Sequence, residues 1–334
     1  MPKTSKKVAV LSQLKGTSAA LSLPQISELI DHAIPERTLR RWLFAWVESG
    51  VLKRNGKKRG TRYQYIRQNK SSEKDTPEFL NFLPPVKRTA VLEQIRDLWT
   101  HTSTALEGNT LTLGDTHAIL ALGLTVSGKP LREHQEILGH AKAIELLYQS
   151  ILEPLDKTLI YALHKAVQTE IVNDIFKPMG AWKVEINGTN AVTSKGEQIF
   201  IEYAHPLHVD DLMEELIQTI NTINIKKITP KNAAQYYAKV HMAIAHIHPF
   251  WDGNGRIARL LANIPLLKAG LPPLVIEQSK RREYIECLAD YQLKVGQLNN
   301  HTGVWPDEKQ LKEFEEFCQQ AYGVTKALLV KIGG

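Results

Sequence analysis

Between residues 233 and 263 a helical run, a proline, a loop with two glycines and a second helical run follow one another. No other stretch constrains the fold so tightly. Residues 233–247 carry helical periodicity. Pro249 ends that helix, having no N–H to donate and disfavouring helical angles in the residue before it, and His248 is left at the C-terminal edge. Asp252-Gly-Asn-Gly then forms a tight turn whose backbone angles favour glycine. A new helix is expected from Arg256. A glycine-rich loop entering a helix N-terminus aims several N–H groups at one point and makes an anion nest. Arg256 and Arg259 share a helix face and add two guanidinium forks suited to phosphate. Asp252 offers a hard oxygen for Mg²⁺ that bridges two phosphates. His248 is the nearby side chain suited to taking a hydroxyl proton near neutrality. Base, metal ligand, anion nest and two arginines, contiguous over 12 residues, are the parts of a phosphoryl- or nucleotidyl-transfer site.

The rest of the chain frames this motif. Its 334 residues predict two or three domains, at roughly 100–200 residues each. From residue 78 onward apolar residues recur at helical spacing, as in Val91, Leu92, Ile95 and Leu98, or Leu159, Ile160, Leu163 and Val167. Residues 183–203 differ, with period-2 β-branched residues around NGTN and Gly196, and predict a β-hairpin. The expected fold is mainly α: an all-helical core with one β-hairpin, plus a small N-terminal domain. No apolar run is long enough to span a bilayer. The start has no apolar h-region or cleavage site, and Cys287 and Cys318 are the only cysteines, so a cytoplasmic protein without a disulfide framework is expected.

Charge separates the N-terminal part from the rest. Residues 1–70 hold 15 Lys+Arg against 4 Asp+Glu, a net of +11, whereas the remainder has a net of −4. Such a basic module suits a polyanionic partner. Helices over 23–30 and 36–50, with Leu39, Trp42, Leu43 and Trp46 on one apolar face and Gly50 as a stop, precede two short strands within 51–66. This order resembles a winged helix-turn-helix. Arg37, Arg40 and Arg41 would lie on the exposed face of the second helix. The wing would add Lys53, Arg54, Lys57, Lys58, Arg59 and Arg62, enough to neutralise several phosphates of duplex DNA. Winged helices also serve as protein-docking modules. The expected organisation is residues 1–67 for this domain, 68–77 (QNKSSEKDTP) for a linker, 78–300 for the catalytic domain and 301–334 for a helical extension.

The stretch HPFWDGNGRIAR, residues 248–259, resembles the Fic-family signature H-x-F-x-(D/E)-G-N-G-R-x-x-R at every specified position. The resemblance extends over most of residues 80–295. It implies transfer of AMP from ATP to a Ser, Thr or Tyr hydroxyl of a protein, self included, with release of pyrophosphate. His248 would be the base, Asp252 the Mg²⁺ ligand, and Gly253, Asn254 and Gly255 the cradle for the α- and β-phosphates. Arg256 would support the phosphates, Arg259 would hold the γ-phosphate, and Phe250 would anchor the loop in the core.

Ser103 and Glu107 stand four apart, and Gly108 and Asn109 follow as a helix stop. A carboxylate in the last turn opposes the helix dipole, so Glu107 either faces water or has a cationic partner. S-x-x-x-E-G-N is similar to the Fic inhibitory motif, which implies a helix at about 98–109 whose Glu107 pairs with Arg259 and misplaces bound ATP. In some relatives the same residue helps remove AMP. The hairpin resembles the family's flap, which holds a target segment by β-augmentation; Ile199, Phe200 and Ile201 would cover the nucleotide. The family's Gly-x-(aromatic)-Arg is here Gly180-Ala-Trp182-Lys183, keeping the charge but not the fork. RREYIECL resembles the helix bordering adenine, with Tyr284 and Leu288 as candidates. His134 and His140 read as structural, and His241, His246 and His248 lack a zinc spacing, which leaves His241 a supporting role at most. The resemblance therefore implies ATP and Mg²⁺ as cofactors and a protein substrate as partner, with duplex DNA and a second copy of the chain as further candidates and no membrane. De-AMPylation at the same site, or a DNA-binding regulator whose Fic domain senses nucleotide, are the alternatives.

Overall fold

The computed structural model describes residues 10–11, 13–14, 17, 19–48, 52–56, 60–65, 77–169, 174–192 and 198–333. The chain divides into two compact units. One comprises Met1–Thr76 with His117–Ser127, the other Pro77–Thr116 with Gly128–Gly334. Gly50, Lys57, Lys58, Arg59, Gly196 and all but the last residue of the expected linker lie outside the described residues.

In the first unit, β1 (Leu21–Ser22), α1 (Leu23–Leu29), α2 (Glu36–Glu48), β2 (Leu52–Asn55) and β3 (Arg62–Tyr65) follow in order. The strands form an antiparallel sheet in the order β1-β3-β2. A strand of two residues carries no periodicity, so this third strand leaves no mark in the sequence. Pro24 sits in the first turn of α1, and the Gln25 side chain accepts from the Ser22 N–H at 2.9 Å. The apolar stripe of α2 (Leu39, Leu43 and Trp46) is buried against Val10, Leu11, Leu14, Ile26 and Leu52, with Trp42 half-buried beside it. Arg37, Arg40, Arg41, Lys53, Arg54 and Arg62 are exposed. The charge of Arg40 is shared with Glu36 at 2.5 Å.

The second unit contains α3 (Pro85–Leu106), α4 (Leu113–Leu122, its residues from His117 grouping with the other unit), α5 (Leu131–Gln149) and α6 (Lys157–Val167). A hairpin of β4 (Gly188–Val192) and β5 (Gln198–Glu202) follows. Then come α7 (Pro206–Thr222), α8 (Ala233–Ile247), α9 (Asn254–Leu261), α10 (Ile264–Lys268), α11 (Arg281–Val295), α12 (Lys312–Ala321) and α13 (Gly323–Gly333). At the centre lies α8, apolar and small-residue-rich on nearly all sides and almost wholly buried, as such a helix must be. Its alanines let α9 and α12 approach closely.

Two expectations need correction. The second motif helix begins at Asn254, not Arg256, because Gly253 takes φ 78° and starts it as a left-handed N-cap. The helical extension expected over 301–334 is not one continuous helix. A 3₁₀ turn at Glu308–Leu311 leads into α12, and the chain breaks at Tyr322–Gly323 before α13. Phe314 and Phe317 are buried in the main core, so this extension packs on its own chain. The side chain of Leu328 lies outside the described residues. Cys287 and Cys318 are buried free thiols. No helix among the described residues is long and apolar enough to cross a membrane.

Candidate active site

The site forms where α8 ends and α9 begins. His248 caps α8 in the left-handed region (φ 52°, ψ 60°), its N–H donating to the Ile244 carbonyl at 2.9 Å. Pro249 forces that exit, at a backbone cost of about 1 kcal/mol for a residue with a Cβ. The turn carries the half-buried imidazole onto Tyr203, just past β5, with ring centroids 3.8 Å apart and planes at 3°. Burial, helped by the Lys183 ammonium and opposed by the Ala245 carbonyl and Glu107, brings His248 down to about 3. The ring is therefore neutral and keeps one nitrogen lone pair unprotonated.

The loop holds itself in shape. The Asn254 side chain accepts from the Phe250 N–H at 2.8 Å and donates to the Phe250 carbonyl at 2.7 Å. Its amide is spent on the loop, so only its backbone is left to the anion nest. Phe250 is fully buried and stacks on His164 at 3.9 Å and 4°. His164, which the sequence did not single out, bridges two segments: Nε2–H donates to the Asp252 carbonyl at 3.1 Å, and Nδ1 accepts from the Gly180 N–H at 2.8 Å. Burial takes it down to about 4, which keeps this tautomer neutral. Asp252 points its carboxylate outward, with the side chain 43% exposed, and touches Arg256 only loosely at 3.5 Å. Arg256 itself is buried and donates to the Val167 carbonyl at 2.7 Å, fastening the loop to the end of α6.

Arg259 is the electrostatic centre. Its Nε donates to Ser103 Oγ at 2.9 Å, and Nη2 donates to the Ser103 carbonyl at 2.9 Å and to Glu107 Oε1 at 2.6 Å. The Ser103 carbonyl is free for this because α3 tightens at its end, Glu107 N–H bonding to Thr104 O instead. A second arginine, Arg281, donates from Nε to the Leu106 carbonyl at 2.8 Å. Two guanidinium groups thus meet the negative end of the α3 dipole and offset the carboxylate that stands there. Glu107 is the C-cap of α3. Burial would push its carboxyl up, but Arg259, with Arg256 and Arg281, holds it below the ordinary range. Arg259 is raised in turn, the carboxylate overcoming burial. A Cβ on Gly255, in the first turn of α9, would collide with the Glu107 carboxylate. An anion therefore already occupies the helix N-terminus where a phosphate would bind.

The hairpin is rooted in the same loop. Lys183 N–H donates to the Pro249 carbonyl at 2.8 Å, and its buried Nζ donates to Asn187 Oδ1. Asn187 Nδ2 donates to the Phe250 carbonyl at 2.9 Å. Burial lowers Lys183 to about 7. The strands pair with Gly188 opposite Glu202 and Asn190 opposite Phe200. Strand alternation separates the three predicted cover residues: half-buried Ile199 and buried Ile201 share one face, while Phe200, 61% exposed, takes the other. Tyr284 is buried, with its hydroxyl at Arg259 Nη1 (3.2 Å), and Leu288 is half-buried against the main core. His134 binds the Pro130 carbonyl at 2.9 Å, and His140 is buried edge-on to Trp99.

Residues 154–266 match the family model described as Fic/DOC family. This stretch, which contains His248 and Arg259, is thus similar to the Fic/DOC family. Among curated proteins it is similar to protein adenylyltransferase fic-1 of Caenorhabditis briggsae, 30% identical over 207 residues, which covers 60% of this chain and 38% of that protein. It thus spans less than half the length of that relative. Among solved structures, a Fic domain containing signaling protein from Bacteroides thetaiotaomicron is similar at TM-score 0.64 and 26% identity, over 76% of this chain and 92% of the other. Fic-1 from Caenorhabditis elegans shares the fold at TM-score 0.57 and 20% identity, over 98% and 97%.

Proposed function

We propose that this chain is a protein adenylyltransferase held in check by Glu107. The observation that carries the reading is the Glu107 carboxylate, 2.6 Å from Arg259 at the N-terminus of α9, in an anion site whose charge also acts on the neutral His248 imidazole. The adenylyltransferase named among its relatives supports AMP as the group transferred. His248 takes the proton of a Ser, Thr or Tyr hydroxyl as that oxygen bonds to the α-phosphorus of ATP. The bond from this phosphorus to the β-bridging oxygen breaks, and pyrophosphate leaves. The first-turn N–H groups from Gly253 to Gly255 cradle the α- and β-phosphates, Arg256 supports them, and Arg259 receives the γ-phosphate once Glu107 withdraws. Leu288 borders the adenine side, and Ile199 and Ile201 cover the nucleotide.

The donor set suits Mg²⁺. Asp252 presents one half-exposed hard carboxylate beside the nest, and no group of three metal-ligating side chains occurs among the described residues. Asp252 would hold such an ion, which when bound would supply charge neutralisation for the substrate phosphates. The hairpin would hold the target segment by adding a strand, so a protein, self included, is the substrate class. The test is to incubate wild type, Glu107→Gly and His248→Ala with Mg²⁺ and ATP labelled at the α-phosphate, then measure intact mass. AMP gained by Glu107→Gly and lost with His248→Ala supports the reading. No gain in any of them, with ATP binding demonstrated, refutes it in favour of de-AMPylation or nucleotide sensing.

We also infer that residues 1–67 form a winged helix-turn-helix that binds duplex DNA. The arrangement supporting this is α2 with exposed Arg37 and Arg41 beside a three-stranded sheet whose β2–β3 hairpin carries Lys53, Arg54 and Arg62. Binding to a duplex that weakens steeply between 50 and 200 mM salt is expected. Absence of any salt-dependent binding assigns the module to protein docking instead.

A further inference from the structure

We propose that His241, acting through Tyr284, is a positioning residue that keeps Arg259 aimed at the terminal phosphate of a nucleoside triphosphate after Glu107 has left. The inference rests on the nucleotide reading above. Arg259 is held from two sides. Ser103 and Glu107 come from the end of α3 and take Nε and Nη2; Tyr284 comes from α11 and takes Nη1. When the carboxylate withdraws, the α3 side loses its one charged contact. The α11 side is unaffected.

Proton counting fixes the direction of that second hold. Burial pushes the Tyr284 phenol up to about 12, so it keeps its hydrogen. Its oxygen accepts from Arg259 Nη1, and the single O–H is then donated to His241 Nε2, 3.0 Å away. Burial holds His241 well below its ordinary value, with the Arg259 charge acting in the same direction, so the ring is neutral. Accepting at Nε2 places its one hydrogen on Nδ1. That atom is buried and has no hydrogen-bond partner among the described residues. The ring lies among Tyr237, at 5.6 Å, Phe314, at 5.2 Å, and the rim of Tyr284. In such apolar company a leucine would leave no N–H unsatisfied, so packing alone favours an apolar residue. What the imidazole adds is an acceptor for Tyr284, and through it an orientation for the guanidinium. Phe314 also gives the C-terminal extension a place in the device, since α12 supplies one wall of the pocket that fixes His241.

The experiment measures ATP and ADP binding with Mg²⁺ by calorimetry, in the Glu107→Gly/His248→Ala protein so that the brake is off and no turnover occurs. In that background ATP is expected to bind more tightly than ADP. Adding His241→Leu or Tyr284→Phe should weaken ATP about tenfold or more, the scale of one hydrogen bond to a charged group, and leave ADP within about twofold, the resolution of such a comparison. His241→Gln, whose amide oxygen can accept from Tyr284, should restore ATP binding. Equal losses for ATP and ADP, or no loss at all, overturn the proposal. A background that does not prefer ATP overturns the nucleotide reading and this inference with it. Melting temperatures of all variants, with Tyr284→Phe preserving the ring, separate a positioning effect from misfolding.

Discussion

Replacing Glu107 by glycine removes one charged contact while leaving Arg259 three neutral ones: Ser103 Oγ, the Ser103 carbonyl and the Tyr284 hydroxyl. A hydrogen bond to a charged group contributes about 1.5–3 kcal/mol. The Glu107 side chain is 42% exposed, whereas that of Arg259 is 3% exposed, so screening sets the contact at the lower end, about 1.5–2 kcal/mol. Freeing Arg259 by that amount raises the population able to take a γ-phosphate about 10- to 30-fold. Correct seating of the α-phosphate extends the expected gain in initial rate toward about 100-fold. Glu107→Gln, which keeps an acceptor but no charge, should gain only a few-fold. The assay is the initial rate of AMP incorporation at saturating ATP, with melting temperature followed in parallel. A Glu107→Gly protein that binds ATP at least as well as wild type yet modifies nothing faster would refute the brake. The sign with pH is also fixed. Because the folded carboxyl lies below its ordinary value, its stabilisation is present above the unfolded pKa and is lost as pH falls through the folded one. The melting-temperature gap between wild type and Glu107→Gln should therefore close in acid.

Lys183, lowered to about 7 by burial, makes the unfolded chain bind more protons than the native one between about 7 and 10.5. Wild type should gain stability as pH rises through that window, and Lys183→Met should flatten the gain in denaturant titrations; parallel pH profiles would contradict the assignment. Asn254→Ala leaves the buried Phe250 N–H without an acceptor, a cost of about 1–3 kcal/mol, and activity should fall much further than the melting temperature indicates. His164→Leu frees the Asp252 carbonyl and should raise the Mg²⁺ concentration needed for half-maximal rate. His164→Gln, which can still donate to that carbonyl, should recover part of it. An unchanged Mg²⁺ requirement in His164→Leu would show that this bridge does not position Asp252.

The motif residues were legible because their chemistry is contiguous. His248, Asp252, Gly253 and Arg259 lie on one helix–loop–helix, so spacing alone brings them together. Glu107 was legible only in part. Its local conflict with the helix dipole called for either water or a cation, and the choice of Arg259, 152 residues away, came from resemblance to a family. His164, Lys183 and His241 gave no local sign of their contacts. The Asp252 carbonyl, the Pro249 carbonyl and the Tyr284 hydroxyl that they meet stand 88, 66 and 43 residues away in sequence, and an isolated histidine on a helix looks the same whether it braces a loop or fills space. Tyr284 was read as a neighbour of adenine, while its hydroxyl proves to be committed to Arg259. The interruption at Tyr322 leaves no mark in the sequence because apolar periodicity continues across it.

The Asn254 side chain closes a small ring with both backbone groups of Phe250, at 2.8 and 2.7 Å. This ring is completed by the chain's own atoms and needs nothing from a ligand. Fixing a residue's backbone costs about 1–2 kcal/mol in entropy, and for the five residues from Phe250 to Asn254 that cost is met when the protein folds. A nucleotide arriving at the nest finds the loop already set. Its association should therefore carry little ordering penalty and be fast; under the proposed brake, the slow, gated event would be the departure of a carboxylate, not the shaping of a loop.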